Sequence, residues 1–332
     1  MARLLTVLLN WRTPEMTCRA IDAAAAALSG LDAELVVVDN DSGDGSEEAL
    51  RAHIEGTDLP IPARVVQSGR NGGFGAGNNV GIRAGRADGV RPDYVQILNS
   101  DAFPAPDALR RLHDHLEAHP EVGFAGSFIH GEDGTPHETA FRFPSILSEI
   151  EGAARTGPVT RLLARHRVPL GLPDATRRVD WLAGASMMMR MDVLEQIGLF
   201  DEGFFLYFEE TDLCLRAARA GYTVDYIRDS HVAHIGSVST GMKGWSDVPT
   251  YWFDSRWRYF AKAHGRGYAV AATLGHVLGG AIWRLRVLLT GKPRVDPPGF
   301  LRRLLSHDLA AARAARPRDQ TIDLVPVREV QT

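Results

Sequence analysis

The feature that most constrains the fold is a series of short apolar segments, each followed by polar residues and a segment of helical character. Leu4–Leu9, Glu34–Val38, Arg64–Gln67 and Tyr94–Leu98 are predicted to be strands of this kind. Their alternation with helices predicts an α/β fold with a doubly wound, mostly parallel sheet and helices on both faces. Ligands of such sheets bind in the crevice at the carboxyl ends of the strands. The polar residues that follow the strands are therefore the first candidates for a functional site.

The strand Tyr94–Leu98 runs directly into Asn99, Ser100 and Asp101. The Asp101 carboxylate is a suitable ligand for a hard cation such as Mg²⁺ or Mn²⁺, and such a cation would bridge the phosphates of a bound nucleotide. The alternative is that these three residues only turn the chain after the strand. Considered without the rest of the sequence, the turn is the simpler interpretation.

The second strand ends at Asp39, which is followed by a loop containing Asp41 and Asp44 and by a helix predicted to be capped at Ser46. A carboxylate directly at a strand end is well placed to accept hydrogen bonds from a base or a ribose, which favours a binding role for Asp39. Asp41 and Asp44 are equally well explained as loop residues.

Residues 71–79 have the glycine-rich sequence Asn-Gly-Gly-Phe-Gly-Ala-Gly-Asn-Asn and precede a short helix predicted over Val80–Ala87. Glycines at this density let the backbone approach a ligand closely and expose N–H groups at a helix N-terminus. The alternative is a flexible surface loop. The glycines do not fit the G-x-G-x-x-G pattern, and no G-x-x-x-x-G-K-[ST] pattern occurs, which argues against a dehydrogenase and a P-loop enzyme.

The aromatic segment Phe204–Phe208 is followed at once by three acidic residues, Glu209, Glu210 and Asp212. Burial beside aromatic rings raises the pKa of a carboxyl group, which a general base needs in order to accept a hydroxyl proton near neutral pH. If a helix begins just after Glu210, Asp212 and Arg216 lie one turn apart and are predicted to pair. Glu210 would then point into the crevice.

Two histidines, His231 and His234, follow the predicted strand Tyr222–Ile227. A neutral imidazole in a loop at a strand end is a suitable second protein ligand for a metal ion. The alternative for each is an ordinary surface or core histidine.

The C-terminal part of the chain is basic, with 13 Lys or Arg and 4 Asp or Glu in residues 251–320, although the whole chain has a net charge of −4. Residues 268–283 carry no formal charge but are too short and glycine-rich to indicate a transmembrane helix. Together with the basic residues around them, they predict peripheral membrane contact through residues 252–303. The alternative is a helical hairpin packed on the rest of the chain or across a homodimer, and no nucleic-acid partner is expected.

The cysteine content and the N-terminus bear on the compartment. Cys18 and Cys214 are the only cysteines, which excludes a disulfide framework and fits a reducing environment. The apolar start, Met1–Leu9, has no small-residue cleavage site after it and is predicted to be a core strand rather than a signal peptide. We therefore expect a cytoplasmic protein that acts at the inner face of the plasma membrane.

Five of these motifs occur in the order found in glycosyltransferase family 2. Over roughly residues 4–240, the chain resembles the bacterial rhamnosyltransferase-like branch of that family, which builds cell-surface polysaccharides. The segments that carry the resemblance are 36–46, 71–79, 98–101, 208–216 and 234–239. The resemblance implies a GT-A fold, a nucleotide-diphosphate-sugar donor, a divalent metal (Mg²⁺ or Mn²⁺) and inversion at the anomeric carbon.

By position, the resemblance implies that Asp39 contacts the nucleotide, that Asp101 and His234 bind the metal, and that Glu210 is the catalytic base. Asn99 stands where the family's D-x-D motif has its first aspartate, which lowers the charge at the metal site, and Glu210 stands where the family commonly has Asp. The residues expected to bind the nucleotide sugar are Asn10, Asp39, Ser42, Asn71, Gly72, Gly73, Asn78, Asn99, Ser100 and Asp101. The residues expected on the acceptor side are Asp180, Trp181 and Glu209.

Together these features predict an inverting glycosyltransferase. It would move a sugar, with rhamnose the best candidate, from a nucleotide-diphosphate sugar to a glycan or lipid-diphosphate-linked acceptor. The predicted parts are a catalytic domain (1–245), its nucleotide-binding half (1–105), its acceptor-side half (106–245) with a variable insertion at about 131–178, a basic helical extension (246–320) and a tail (321–332).

Two other classes share parts of this pattern. A sugar-phosphate nucleotidyltransferase has a similar sheet and metal, but it needs a glycine-rich loop with Arg or Lys directly after the first strand. This chain has Asn10-Trp11-Arg12-Thr13 there, without glycine. A non-catalytic carbohydrate-binding relic does not account for the complete set of motifs.

Overall fold

The computed structural model describes residues 2–236, 247–291 and 297–314. Its strands are β1 (Arg3–Asn10), β2 (Asp32–Asp39), β3 (Ala63–Gln67), β4 (Tyr94–Asn99), β5 (Ala102–Pro104), β6 (Val122–His130), β7 (Ala140–Phe141), β8 (Arg177–Val179), β9 (Trp181–Leu182), β10 (Ser186–Arg190) and β11 (Thr223–His234). Its α-helices are α1 (Pro14–Leu28), α2 (Ser46–Gly56), α3 (Phe74–Ala84), α4 (Ala108–Ala118), α5 (Ile146–Ala154), α6 (Gly157–Leu162), α7 (Met191–Ile197), α8 (Glu209–Arg219), α9 (Thr250–His264), α10 (Arg266–Thr290) and α11 (Phe300–Arg313).

One large sheet organises the molecule. Its strand order is β3-β2-β1-β4-β10-β6-β11-β5, with β8 paired to β11. Strands β1 to β4 are parallel, β6 and β11 are parallel to each other, and β10 runs antiparallel between β4 and β6. The predicted fold class is confirmed, because the sheet is mostly parallel, is flanked by helices and is followed by C-terminal helices.

The sequence of β2 shows why helices cover both faces of the sheet. Leu35 and Val37 belong to the apolar core beneath α1 and α4, whereas Val36 and Val38 belong to the core beneath α3, α7 and α8. A continuous apolar run, without polar alternation, is typical of a parallel strand that is buried on both faces.

The register of the parallel strands brings their carboxyl ends together. Asn10 at the end of β1 lies opposite Asp39 at the end of β2, and Leu9 lies opposite Asn99 at the end of β4. The polar residues that follow these strands in the sequence therefore meet at one edge of the sheet, as the fold class requires.

Helix α3 begins at Phe74, inside the glycine-rich segment, and not at Val80 as the sequence predicted. The reason is close packing of the helix on β1. A Cβ atom at Gly77 would lie 2.5 Å from the Leu9 side chain, and one at Gly81 would lie 2.4 Å from Val7. These glycines therefore serve contact between helix and sheet, and the alternative of a flexible surface loop is wrong.

Two further local predictions are corrected. Strand β11 extends to His234, so His231 and His234 lie in a strand and not in a loop after it. Helix α2 has Gly45, with φ of +86°, at its N-cap, and Ser46 is the first helical residue.

The weakly patterned region 131–178 contains α5, α6, a single 3₁₀ turn, β7 and the start of β8. Helix α10 packs closely on α5 through glycines, since a Cβ atom at Gly279 would lie 2.4 Å from the carbonyl oxygen of Ile150. In the described part of the chain, every helix is too short or too polar to cross a membrane.

Candidate active site

A cavity of about 1040 Å³ opens at the carboxyl edge of the sheet. Predicted site residues in its wall are Asn71, Gly73, Asn99, Ser100, Asp101, Trp181, Glu209, Glu210 and His234. The structure thus brings together the end of β4, the start of α3, the N-terminus of α8 and the end of β11.

Asp101 and His234 face each other in this cavity. Asp101 Oδ1 lies 3.0 Å from His234 Nε2, and Asp101 Oδ2 accepts a hydrogen bond of 3.0 Å from the Gly236 N–H. The Asn99 amide nitrogen lies 3.3 Å from the same imidazole nitrogen. Burial alone would raise the pKa of Asp101, but the hydrogen bond and charge of His234 and the Gly236 N–H hold that pKa below its usual value.

The Asp101–His234 pair fits a divalent cation held jointly by the protein and a bound diphosphate. A carboxylate and an imidazole are both metal-ligating groups, and the low pKa of Asp101 keeps its carboxylate ionised. Among the described residues, no cluster of three or more His, Cys, Asp or Glu side chains forms a complete protein-only site. The remaining ligands would therefore come from the substrate and water, as is common for Mg²⁺ at phosphates.

Glu210 occupies another part of the cavity wall, in the first turn of α8. Its Oε1 accepts a hydrogen bond of 3.0 Å from the backbone N–H of Gly184. A Cβ atom at position 184 would lie 2.7 Å from that oxygen and 2.9 Å from the Phe74 ring, so a larger residue there would displace the Glu210 carboxylate or the ring. Burial raises the pKa of Glu210, and hydrogen bonds from backbone N–H groups offset this only in part. A carboxylate of this kind is suited to general-base catalysis.

Glu209, the residue before Glu210, is more deeply buried than Glu210, with 1% of its surface exposed. Its Oε2 has no hydrogen-bond partner among the described residues. Burial, together with the negative charge of Glu210, raises the pKa of Glu209 well above its usual value.

The predicted pair between Asp212 and Arg216 is present, with Arg216 Nε donating to Asp212 Oδ2 at 2.9 Å.

The glycine-rich segment is fixed against both β2 and the aromatic segment before α8. The Asn71 side chain accepts hydrogen bonds from Asn40 Nδ2 (3.1 Å) and from the Gly73 N–H (3.0 Å). Gly73 has φ of +89°, and a Cβ atom there would lie 1.9 Å from the carbonyl oxygen of Phe205. Only glycine can occupy this position, which explains the second glycine of the motif.

Asn10, Asp39 and Ser42 form a buried polar cluster rather than part of the cavity wall. Asp39 Oδ1 accepts hydrogen bonds from Asn10 Nδ2 (2.7 Å) and Ser42 Oγ (2.6 Å), and its Oδ2 accepts one from Gln67 Nε2 (3.0 Å). Burial would raise the pKa of Asp39, but these hydrogen bonds lower it below its usual value. The next residue, Asn40, does line the cavity.

The remaining predicted residues are placed as follows. Gly72 lines a second, smaller cavity of about 210 Å³ beside Asn40. The Asn78 amide donates to the carbonyl oxygen of Phe74 within α3. Asp180 lies outside the cavity wall and accepts a hydrogen bond of 2.8 Å from the Phe143 N–H. Their assignment to donor or acceptor binding stays a prediction.

Trp181 lines the cavity and is held in a fixed orientation. Its ring stacks on Phe141 with centroids 4.2 Å apart, and its indole N–H donates to the carbonyl oxygen of Arg142 at 2.9 Å. The sequence did not single out a further set of lining residues, which comes from the insertion and the C-terminal helices: Ser148, Glu149, Gly152, Ala153, Tyr251, Trp252 and His276. The aromatic and basic character of the extension was a signal for Tyr251, Trp252 and His276, whereas the four residues of α5 lie in the weakly patterned insertion and had none.

Comparison with known proteins gives the family. The sequence model described as "Glycosyl transferase family 2" matches residues 9–197. An N-acetylglucosaminyl-diphospho-decaprenol L-rhamnosyltransferase of Mycobacterium tuberculosis is 29% identical over 220 residues, which are 62% of this chain and 68% of the relative. Rhamnosyltransferase WbbL of Escherichia coli K12 is 28% identical over 165 residues, 49% of this chain and 60% of the relative.

Solved structures agree with the fold. The mannosyltransferase PcManGT from Pyrobaculum calidifontis, in complex with GDP-Man and Mn²⁺, has a TM-score of 0.57 at 17% identity and covers 93% of this chain and 80% of its own. TarS 1-349 of S. aureus, in complex with UDP-GlcNAc, has a TM-score of 0.54 at 13% identity and covers 93% and 81%. These similarities show a GT-A fold, and because the family model spans more than half of the sequence, the chain belongs to glycosyltransferase family 2.

Proposed function

We propose that this glycosyltransferase moves a rhamnosyl group from a nucleotide-diphosphate sugar to a lipid-diphosphate-linked sugar, with inversion at the anomeric carbon. The observation that carries the proposal is that Glu210, with its raised pKa, shares one cavity with the Asp101–His234 pair. The family model ends at residue 197, so the roles of Glu210 and His234 rest on this geometry and not on the match.

On the donor side, Asp101 and His234 would hold a divalent cation against the donor's diphosphate. When bound, this cation, Mg²⁺ or Mn²⁺, supplies positive charge that stabilises the diphosphate leaving group. Asn71 and Gly73 would line the path of the donor, and the fixed backbone at Gly73 keeps that wall in place before the donor binds.

On the acceptor side, Glu210 would remove the proton of the attacking hydroxyl group. The hydroxyl oxygen then forms a bond to the anomeric carbon from the face opposite the diphosphate. The bond from that carbon to the diphosphate oxygen breaks, the electron pair leaves with the diphosphate, and the proton remains on Glu210. A single displacement of this kind inverts the configuration.

The names of the relatives support the choice of sugar and acceptor. The mycobacterial relative is named for a rhamnosyl transfer to N-acetylglucosaminyl-diphospho-decaprenol, and the E. coli relative is named a rhamnosyltransferase. We therefore propose deoxythymidine-diphosphate rhamnose as the donor. A nucleotidyltransferase and a non-catalytic relic are both less well supported, since the family match is to glycosyltransferases and the named relatives are rhamnosyltransferases.

The proposed function predicts release of nucleotide diphosphate from one donor only. Purified protein would be incubated with Mn²⁺ or Mg²⁺ and a panel of nucleotide sugars, with and without N-acetylglucosaminyl-diphospho-prenol. We expect release from deoxythymidine-diphosphate rhamnose that increases when the acceptor is added. Absence of release with acceptor present, together with no nucleotide binding by calorimetry, would contradict the transferase proposal.

We further propose that the outer face of α10 lies on the cytoplasmic surface of an anionic membrane. The exposed fractions of its leucines are 56% for Leu274, 54% for Leu278, 58% for Leu285, 74% for Leu288 and 77% for Leu289. At 3.6 residues per turn these side chains share one face of the helix. Arg266 and Arg284 lie along one edge of that face, Arg286 lies along the other, and α10 contains no acidic residue. This charge pattern favours anionic lipid headgroups.

The membrane proposal predicts that polar substitutions on this face abolish vesicle binding. The double variant Leu278→Gln/Leu285→Gln should fail to float with phosphatidylglycerol vesicles, whereas the wild type floats with them and less with phosphatidylcholine vesicles. Leu172→Gln, at a leucine that is 51% exposed outside α10, is the control and should bind like the wild type. A wild type that binds no vesicle but elutes as a dimer, which the double variant converts to a monomer, would show that the face is a homodimer interface.

A further inference from the structure

A second part of the cavity wall lies far along the chain from the predicted motifs. Glu149 and Gly152 on α5, Trp252 on α9 and His276 on α10 line the same cavity as Glu210. Helices α5 and α10 are in close contact through Gly279, so Glu149 and His276 are presented by one packed unit. The proposed function leaves these residues without a role.

The Glu149 carboxylate is bound through one of its two oxygens. Its Oε2 accepts hydrogen bonds from Arg256 Nη2 (2.8 Å), Arg256 Nε (3.1 Å) and His276 Nδ1 (2.7 Å). Burial alone would raise the pKa of Glu149, but the Arg256 charge and the His276 hydrogen bond lower it to about 2. The carboxylate is therefore ionised throughout the physiological pH range.

Each of these two side chains keeps one polar atom available to a ligand. Among the described residues, none donates a hydrogen bond to Glu149 Oε1. Nδ1 of His276 donates to the carboxylate, and no described residue bonds its Nε2. Because both residues line the cavity, one ligand hydroxyl group can donate to Glu149 Oε1 and a neighbouring hydroxyl group can form a hydrogen bond with His276 Nε2.

The charge of this region selects against a phosphate. Arg256 is its buried cation, with 1% of its side chain exposed, and it already pairs with Glu149 (2.8 Å) and with Asp308 (2.9 Å). Two carboxylates thus surround one guanidinium group, and the charge of Arg256 is already neutralised by Glu149 and Asp308. A phosphate group in this part of the cavity would be repelled by the Glu149 carboxylate, whereas the hydroxyl groups of a sugar are suitable donors to that carboxylate.

We infer that Glu149 and His276 form the binding site for hydroxyl groups of the acceptor sugar, on the wall that α5 and α10 supply to the catalytic cavity. This inference rests on the proposed function, since it names the subsite of the same cavity in which the acceptor sugar is held. It assigns sugar recognition jointly to the insertion, through α5, and to the helical extension, through α10, and it leaves the acceptor's diphosphate and lipid outside this subsite.

Gly152 offers a test that leaves the buried ion pairs intact. This residue lines the cavity, and a Cβ atom there would have no other atom within 4 Å, so the helix can accept a larger side chain. Gly152→Leu should raise the KM for N-acetylglucosaminyl-diphospho-prenol by about tenfold or more, because the leucine occupies the space of the sugar. The KM for deoxythymidine-diphosphate rhamnose should stay as in the wild type. Gly56→Leu is the matched control, since Gly56 ends α2, is exposed, and also has no atom within 4 Å of a built Cβ.

His276→Ala tests the polar contact itself. We expect the acceptor KM to rise by about tenfold, the usual effect of losing one or two hydrogen bonds to a ligand, while the donor KM is unchanged. A purely structural role for His276 would instead lower the unfolding temperature and leave the acceptor KM as it is. Unchanged acceptor KM values in both Gly152→Leu and His276→Ala would overturn the inference. A wild type that turns over no donor would contradict the proposed function itself.

Discussion

Replacement of Glu210 by glutamine is expected to reduce sugar transfer by about 10³-fold, within the range that general bases contribute. Glutamine has nearly the same size and can still accept the hydrogen bond from the Gly184 N–H, which is 3.0 Å long in the structure. It cannot accept a proton from the acceptor hydroxyl. Binding of the nucleotide sugar, measured by calorimetry, should therefore be unchanged while turnover is lost.

The pH dependence of the wild type follows from the same carboxyl group. Burial raises the pKa of Glu210, so this residue keeps its proton to a higher pH than an exposed glutamate does. Only the ionised form can act as a base. The kcat/KM for the acceptor should therefore rise with pH as the pH passes upward through this raised pKa, and fall on acidification.

Glu210→Asp is the matched variant for this prediction. It keeps the carboxylate but shortens the side chain by one methylene group, so it should retain more activity than Glu210→Gln. Its intrinsic pKa is also lower than that of glutamate, which should move the acidic limb of the pH profile downward. If glutamine at position 210 left turnover within tenfold of the wild type, the base would have to be another residue, and Glu209 would be the next candidate.

The strand ends and their assembly were predictable from local sequence. Asp39 and Asn99 each end an apolar run, and parallel strands place such ends at one edge of a sheet, which β1, β2 and β4 confirm. The start of α3 was not predictable in the same way. Glycine lowers helix propensity, so a segment with glycines at 72, 73, 75 and 77 favours a loop until its packing against Leu9 is known.

The part of the cavity wall that α5 and α10 form could not be predicted from sequence patterns. Glu149 and His276 are separated by 127 residues and meet only because α10 packs on α5. No periodicity within either segment indicates that the two helices are in contact. The basic character of the extension was visible, but Arg256 proved to be buried between two carboxylates rather than exposed toward a membrane. Charge counts do not distinguish a surface arginine from a buried one.

Asp101→Asn is expected to lower donor turnover by about a hundredfold or more, since several kcal/mol of charge stabilisation depend on this carboxylate. Asparagine preserves the shape and can accept the hydrogen bond from the Gly236 N–H through its remaining carbonyl oxygen. It carries no negative charge, so on the proposed function the asparagine and His234 would hold a divalent cation much less tightly than Asp101 and His234 would. Chelation of the wild type should abolish activity that Mn²⁺ restores, and Mn²⁺ should not restore the variant.

Asp41→Asn is the control for this change of charge. Asp41 is an exposed residue of the loop after β2, lies outside the cavity wall, and has φ of +57°, which asparagine adopts readily. The same loss of one negative charge there should leave turnover and the Mn²⁺ requirement unchanged. The two variants thus separate the local charge of the cavity from the net charge of the protein. If Asp101→Asn kept wild-type turnover and half-saturation by Mn²⁺, the segment Asn99–Asp101 would be only a turn after β4, and the donor's diphosphate would have to be stabilised elsewhere in the cavity.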